Sequence, residues 1–209
     1  VKRAGRPYEA DVYRRLGHVY FDQTNYASAI SAYRQVLEKE PLTPDAPELQ
    51  QRIVQSYERD RMMAESFAES EKLATRYQPG TAWHAKNMGD PDAVSRANTL
   101  VEKSLYTTAT FHHQQALVFK KEGRFEQAQA GFATAARSYG TYLERFPRSK
   151  SAGEMRFYYA ECLYFSFQFA EAAKAYERVR DTGESVKHRD DAAHSAVLAW
   201  QQLLAQEQQ

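Results

Sequence analysis

Near the start of the chain a polar break, FDQTNY at 21–26, separates two amphipathic helical phrases, and this arrangement constrains the fold more than any other feature. Tyr13, Leu16 and Tyr20 recur before the break, and Ile30, Tyr33 and Leu37 after it. Their three- and four-residue spacings put each set on one helical face. The pattern predicts a first helix over roughly 9–21 and a second over 26–39, stopped by Pro41. Helices joined by so short a turn must lie antiparallel and in contact. Gly17 falls inside the first, where glycine costs about 1 kcal/mol relative to alanine. A residue without a side chain lets the second helix approach there, with the small Ala29 opposite. Burial of Tyr13, Leu16, Tyr20, Ile30 and Tyr33 is expected to offset the local cost.

The set Tyr13, Leu16, Gly17, Tyr20, Ala29, Tyr33 and Pro41, with Tyr26 opening the second helix, resembles the tetratricopeptide repeat. That family's pattern is an aromatic, Leu-Gly, Tyr, then Ala, an aromatic and Pro within about 34 residues. Tyr13 stands where the pattern has Trp. Weaker copies follow. A unit over 47–80 carries Ile53, Val54, Tyr57, Ser66, Leu73 and Pro79. Another over 109–147 carries Ala116, Phe119, Phe125, Ala128, Phe132 and Ala135, its second helix extended by about two turns through RSYGTYLERFP. A fourth over 153–186 carries Ala160, Leu163, Phe169, Ala172, Tyr176 and Val179. With the first unit at 10–43, the resemblance implies one domain over 1–209, an all-α, right-handed α-solenoid of helix hairpins.

Two segments stand outside the repeat. The insertion at 81–108 reads as the start of a long helix, with Asp90 and Pro91 as N-cap and first residue. Val94, Ala97, Val101, Leu105 and Thr108 carry it into the third unit, as one helix of about 30 residues or as two with a bend near Thr107–Thr110. The segment 190–206 puts Ala193, Val197, Trp200 and Leu204 on one stripe. It is expected as a capping helix, or the first helix of a truncated fifth unit, with Trp200 on unit four.

Composition narrows the function classes. Twenty-eight Lys and Arg against 27 Asp and Glu leave a net charge of +1, which supplies no basic face for nucleic acid. Apolar runs are too short to span a bilayer. The chain opens at Val1 without a basic-then-apolar leader, and a mature or excised segment of a longer protein is expected. The single Cys162 says little about redox compartment and reads as a buried apolar side chain. No phosphate loop, nucleophile elbow or His-Glu-x-x-His helix is present. His112 and His113 point about 100° apart on a helix and cannot chelate one metal together. We therefore expect no enzyme, no cofactor and no metal.

The candidate sites come from the repeat register. In RFYYAECLYFSFQF, residues 156–169, Tyr159, Leu163, Phe167 and Phe169 are assigned to packing. The alternation Tyr164–Phe169 suits a strand as well, but a lone strand among helices would have no partner. Phe157, Tyr158, Tyr164 and Phe165 remain, at positions that tend to face the concave groove in this family. They are candidates for partner binding, since aromatics are enriched among interface anchors. The alternative is that the long helix or the terminal helix covers them. The same register places Arg14, His18 and Phe21 of unit one, Gln51 and Gln55 of unit two, and His113 and Lys120 of unit three along the groove. The carboxylate clamp of chaperone-binding members is not reproduced at these positions.

The resemblance implies a non-catalytic scaffold that binds a protein or peptide along the concave face. Phrases such as YLERFPRSKSAGEMRFYYAECLY and FAEAAKAYERV are similar to bacterial cell-envelope members of the family, of the outer-membrane assembly and Tol-associated kinds. The Trp-containing insertion resembles large gliding-motility members. A periplasmic or envelope location is therefore expected, with the cytoplasm as the alternative. The second reading of function is an architectural subunit, or fragment of a longer repeat array, that self-associates through its ends.

Overall fold

The computed structural model describes residues 8–183 and 185–208. Among them are helices and turns but no strand, so the stretch Tyr164–Phe169 is not one. Two compact units divide the chain, Val1–Ser104 and Leu105–Gln209.

In the first unit, α1 (Glu9–Asp22) pairs with α2 (Tyr26–Lys39), and α3 (Ala46–Arg59) pairs with α4 (Met63–Arg76), α2 also packing on α3. The predicted limits of the first two helices hold within one residue. In the second unit the C-terminal part of α6 (Pro91–Lys121) is followed by α7 (Phe125–Arg145), then α8 (Ala152–Phe165) and α9 (Phe169–Thr182). A 3-10 turn, Val186–His188, leads into α10 (Arg189–Glu207), which lies along α9. The long helix is a single element, opened by the Asp90 carboxylate accepting from the Ala93 N–H at 3.0 Å. The extension of α7 is present as expected.

Four turns repeat one geometry. Thr24, Arg61, Gly123 and Phe167 each take a left-handed backbone, with φ of 59°, 61°, 74° and 66°. The next residue then donates its N–H back across six residues, Asn25 to Tyr20, Met62 to Tyr57, Arg124 to Phe119 and Gln168 to Leu163, at 2.8–2.9 Å. This closure satisfies orphan carbonyls of the leading helix and reverses the chain in three residues. Only one of the four uses glycine, so three turns carry a left-handed side-chain residue that costs about 1 kcal/mol or more each.

The packing behind these turns explains Gly17. A Cβ built on it would meet the ring of Tyr33, with Cε1 at 2.5 Å and Cδ1 at 2.7 Å. The group opposite Gly17 is therefore the Tyr33 ring, fully buried, with its hydroxyl 3.0 Å from Nδ1 of His18. Gly131 makes the equivalent approach between α6 and α7, where a Cβ would lie 3.0 Å from that of Ala116. Leu16 departs from expectation and is exposed, as Val12 and Val19 are. These residues point away from α2, and among the described residues no helix covers them. Phe167, assigned to packing, is also exposed, because its left-handed turn position throws the ring outward.

The insertion adds α5 (Ala82–Asn87) to the first unit. Trp83 is buried there and donates its indole N–H to the Thr43 carbonyl at 2.7 Å, while Asn87 donates to the Leu42 carbonyl at 3.1 Å. The short helix thus pins the α2–α3 connection. Glu69 on α4 is buried yet held by Arg34 at 2.7 Å, Lys72 at 2.8 Å and the Gln50 amide at 2.6 Å. Burial alone would raise its pKa, but these hydrogen bonds outweigh burial and hold it below the usual carboxylate value.

Candidate functional site

Each hairpin has a leading helix, and in the second unit α8 carries most of the candidate residues. At 100° per residue, Phe157, Tyr158, Glu161, Tyr164 and Phe165 share an arc of roughly 120° with Glu161 near its centre. All four rings are half-buried. They are neither fully solvated nor sealed within the core.

The two flanks of the arc rest on different supports. On one side the Tyr158 ring meets His113 edge-on and Tyr139 at a tilt of 41°, and the Phe165 ring lies 5.0 Å from Phe132. Lys120 places its ammonium 3.5 Å from the Phe165 ring centre. On the other side Phe157 stacks on His188, centroids 4.2 Å apart and planes within 9°, while Tyr164 packs edge-on against Phe169. The Tyr158 hydroxyl donates to the Glu154 carboxylate at 3.0 Å. The segment before α10 thus covers one face of Phe157 and, through His188, reaches Tyr158 edge-on as well.

His113 is not on the groove surface as expected. It is 4% exposed, because α7 and α8 both pack over it. Its Nδ1 lies 3.2 Å from the Tyr139 hydroxyl, and its Nε2, which has no hydrogen-bond partner among the described residues, faces Oε2 of Glu161 at 3.7 Å. Burial pulls its pKa down to about 4, so the ring is neutral at pH 7. Burial raises the Glu161 carboxyl, and Lys120 opposes that. The centre of the arc is therefore a carboxylate that, among the described residues, has no ion pair with Lys or Arg. Cys162, beside it in sequence, is fully buried with its thiol pushed up by burial, and reads as packing.

The first unit disposes of its candidates differently. Arg14 is spent on Asp45 at 2.8 Å, Glu40 at 3.4 Å and Asp11. His18 is bonded to Tyr33. Phe21, expected on the groove, is 5% exposed, with the guanidinium groups of Arg52 and Arg59 4.8 and 5.0 Å from its ring centre. Its place at the C-terminal end of α1 lets the arginines of α3 close over it. Gln51 and Gln55 are half-buried on α3. The residues brought together as one wall are thus Phe157, Tyr158, Tyr164, Phe165 and Lys120, with His113 behind them. Sequence reasoning passed over Glu161, although it stands four residues after Phe157 and three after Tyr158, the spacing that puts it between them. Among the described residues no cluster of His, Cys, Asp or Glu could hold a metal, and no helix is long and apolar enough to cross a membrane.

Stacked helix hairpins with identical turns and glycine-mediated crossings define a helical-repeat protein of the α-solenoid class. Residues 10–42 and 113–186 match models of the tetratricopeptide repeat. The chain belongs to the tetratricopeptide repeat family, whose repeats generally mediate protein–protein interaction. No curated protein matches the chain in sequence. Among solved structures it is similar to the MamA protein at 15% identity, TM-score 0.33, covering 88% of this chain and 96% of that one. It is also similar to a tetratricopeptide repeat protein from Parabacteroides merdae ATCC 43184 at 14% identity, TM-score 0.30, covering 94% and 93%.

Proposed function

We propose that the protein is a non-catalytic scaffold that captures a protein or peptide segment on the α8 wall of its second unit. The observation that carries this reading is the arc of four half-buried rings around Glu161. Each ring has already lost part of its hydration to packing, so covering the remainder costs little ordering entropy and removes apolar surface from water. A matching segment lays apolar side chains across Phe157 and Tyr158 and brings a cation or N–H donor to Glu161. A charge-assisted hydrogen bond in so desolvated a place is stronger than at an open surface.

We place the protein in a bacterial envelope complex on the similarity of the 142–179 phrase to envelope members of the family. Fractionation of the tagged native protein tests the compartment separately.

The binding test is quantitative capture by crosslinking, with the partner identified by mass spectrometry and then purified. Glu161→Gln and Phe165→Ala should each weaken the reconstituted complex, Phe165→Ala by about 10-fold or more. Arg14→Ala in the first unit should leave it unchanged. Equal affinity for wild type and both wall variants would refute the assignment.

A further inference from the structure

The inserted helix α5 creates a cavity in the first unit that the repeat alone would not have. Between α5 and the C-terminal ends of α2 and α4 lies a space of about 310 Å³, walled by Leu37, Pro41, Leu42, Tyr77, Ala82 and Trp83. Its floor is fixed. Trp83, tied to the Thr43 carbonyl, meets the buried Tyr77 ring edge-on, with centroids 5.5 Å apart and planes at 85°. The Thr81 hydroxyl donates to the Gln78 carbonyl at 2.8 Å and accepts from the His84 N–H at 3.3 Å, which holds the start of α5 in place. Walls braced in this way keep their shape before anything binds, so little ordering is needed to fill the space.

The wall offers a ligand carbon and very little hydrogen bonding. Pro41 has no N–H, and the Leu42 and Thr43 carbonyls already accept from Asn87 and Trp83. A peptide main chain lying in the cavity would leave its amides unpaired, whereas an alkyl chain has none to lose. The one charged residue at the cavity is Arg76, exposed in the last turn of α4 and without an ion pair among the described residues. The carboxylates around Tyr77 do not compete for it. Asp45 is held by Arg14, Glu48 by Arg96, and Glu69 by Arg34 and Lys72. A guanidinium with its donors unspent thus stands at the mouth of an apolar space.

We propose that this cavity binds a free medium-chain monocarboxylate, with the alkyl chain against Trp83, Tyr77, Leu37 and Leu42 and the carboxylate at Arg76. The volume sets the chain length. At about 30 Å³ for each water-sized group, the space holds about ten non-hydrogen atoms, the size of octanoate. Burial of the chain supplies the affinity. Arg76 supplies the choice of head group, since its forked donors match a carboxylate in two parallel hydrogen bonds. None of these residues belongs to the α8 wall, so this site stands or falls apart from capture there.

Titration with octanoate, followed by the indole N–H signals in proton–nitrogen NMR spectra, tests this. The chain has two tryptophans, and Trp200→Phe assigns the Trp83 signal. Octanoate should shift that signal saturably, with a dissociation constant at or below about 1 mM, and leave Trp200 in place. The neutral 1-octanol should bind about 5-fold more weakly. Arg76→Gln should remove that difference while 1-octanol binds as before. Ala82→Phe, which fills the cavity from an exposed position, should abolish binding of both. Unchanged helicity by circular dichroism confirms that each variant is folded. A Trp83 signal that does not move overturns the proposal, as does equal affinity of wild type for octanoate and 1-octanol. So does a preference that survives Arg76→Gln, or octanoate binding that survives Ala82→Phe. N-acetylglycyl-leucine, which carries its carboxylate on a peptide end, should bind more weakly than octanoate. Tighter binding would assign the cavity to a polypeptide C-terminus and overturn the free acid as its ligand.

Discussion

Gly17→Ala is the sharpest test of how the first hairpin is built. The added methyl would sit 2.5 Å from Cε1, 2.7 Å from Cδ1 and 3.0 Å from Cζ of Tyr33. Comfortable carbon contacts lie near 3.5–4.0 Å, so the ring must retreat by about 1 Å. Tyr33 has no exposed surface to retreat into, and its hydroxyl is tied to His18 at 3.0 Å. Overpacking of this kind costs about 1–3 kcal/mol. Weakening the hydrogen bond adds about 1 kcal/mol. Against this, alanine recovers about 1 kcal/mol of helix propensity. The balance is a destabilisation of about 1–3 kcal/mol, although alanine is the better helix former.

This is harsher than the sequence suggests. With Ala29 taken as the opposing group, alanine at 17 would be tolerated and only a larger residue such as leucine would clash. Urea unfolding with hydrogen-exchange readout on the α1 and α2 amides gives the value. In a Tyr33→Leu background, which removes the ring, Gly17→Ala should become neutral or stabilising, so the double-mutant cycle isolates the methyl–ring clash. An unchanged or raised unfolding midpoint for Gly17→Ala alone would show that the two helices are not in this contact.

Two further outcomes follow from geometry already given. Thr24→Gly should raise stability by up to about 1 kcal/mol, since a β-branched residue at φ of 59° is strained and glycine is not, and a loss in urea melts would contradict the turn geometry. His113 is depressed to about 4 in the folded state from 6.5, so between those values the unfolded chain binds the extra proton. Stability should therefore be full above about pH 6.5 and fall as pH drops toward 4, and His113→Gln should flatten that part of the profile.

Much of the fold was legible because helix hairpins leave periodic marks. Asn25 and Asp90 act as caps, and Pro41 stops α2, as their side chains require. What stayed hidden depends on neighbours that spacing does not reveal. Leu16 has the character of a core residue and lies exposed, because its position is buried only by a preceding helix. Phe21 and His113 carry groove positions in register, yet arginines on α3 cover one and α7 with α8 cover the other. The turns at Arg61 and Phe167 could not be read from residue type, because packing of the flanking helices imposes the left-handed backbone there.

If the α8 wall is the capture surface proposed above, what sets it apart from the first unit is electrostatic. In the first unit Arg14 meets three carboxylates, Arg34 and Lys72 neutralise Glu69, and two guanidinium groups lie over Phe21. A partner that engaged these charges would have to break pairings already made and could at best replace them. In the second unit the nearby cation, Lys120, lies on the Phe165 ring, and the group facing Glu161 is a neutral imidazole. The cost of desolvating Glu161 has been met in folding and is offset only in part, by Lys120 at a distance. A partner that supplies a cation gains the attraction without meeting the full desolvation cost again. Specificity then favours segments with a donor or cation at that one point between apolar side chains.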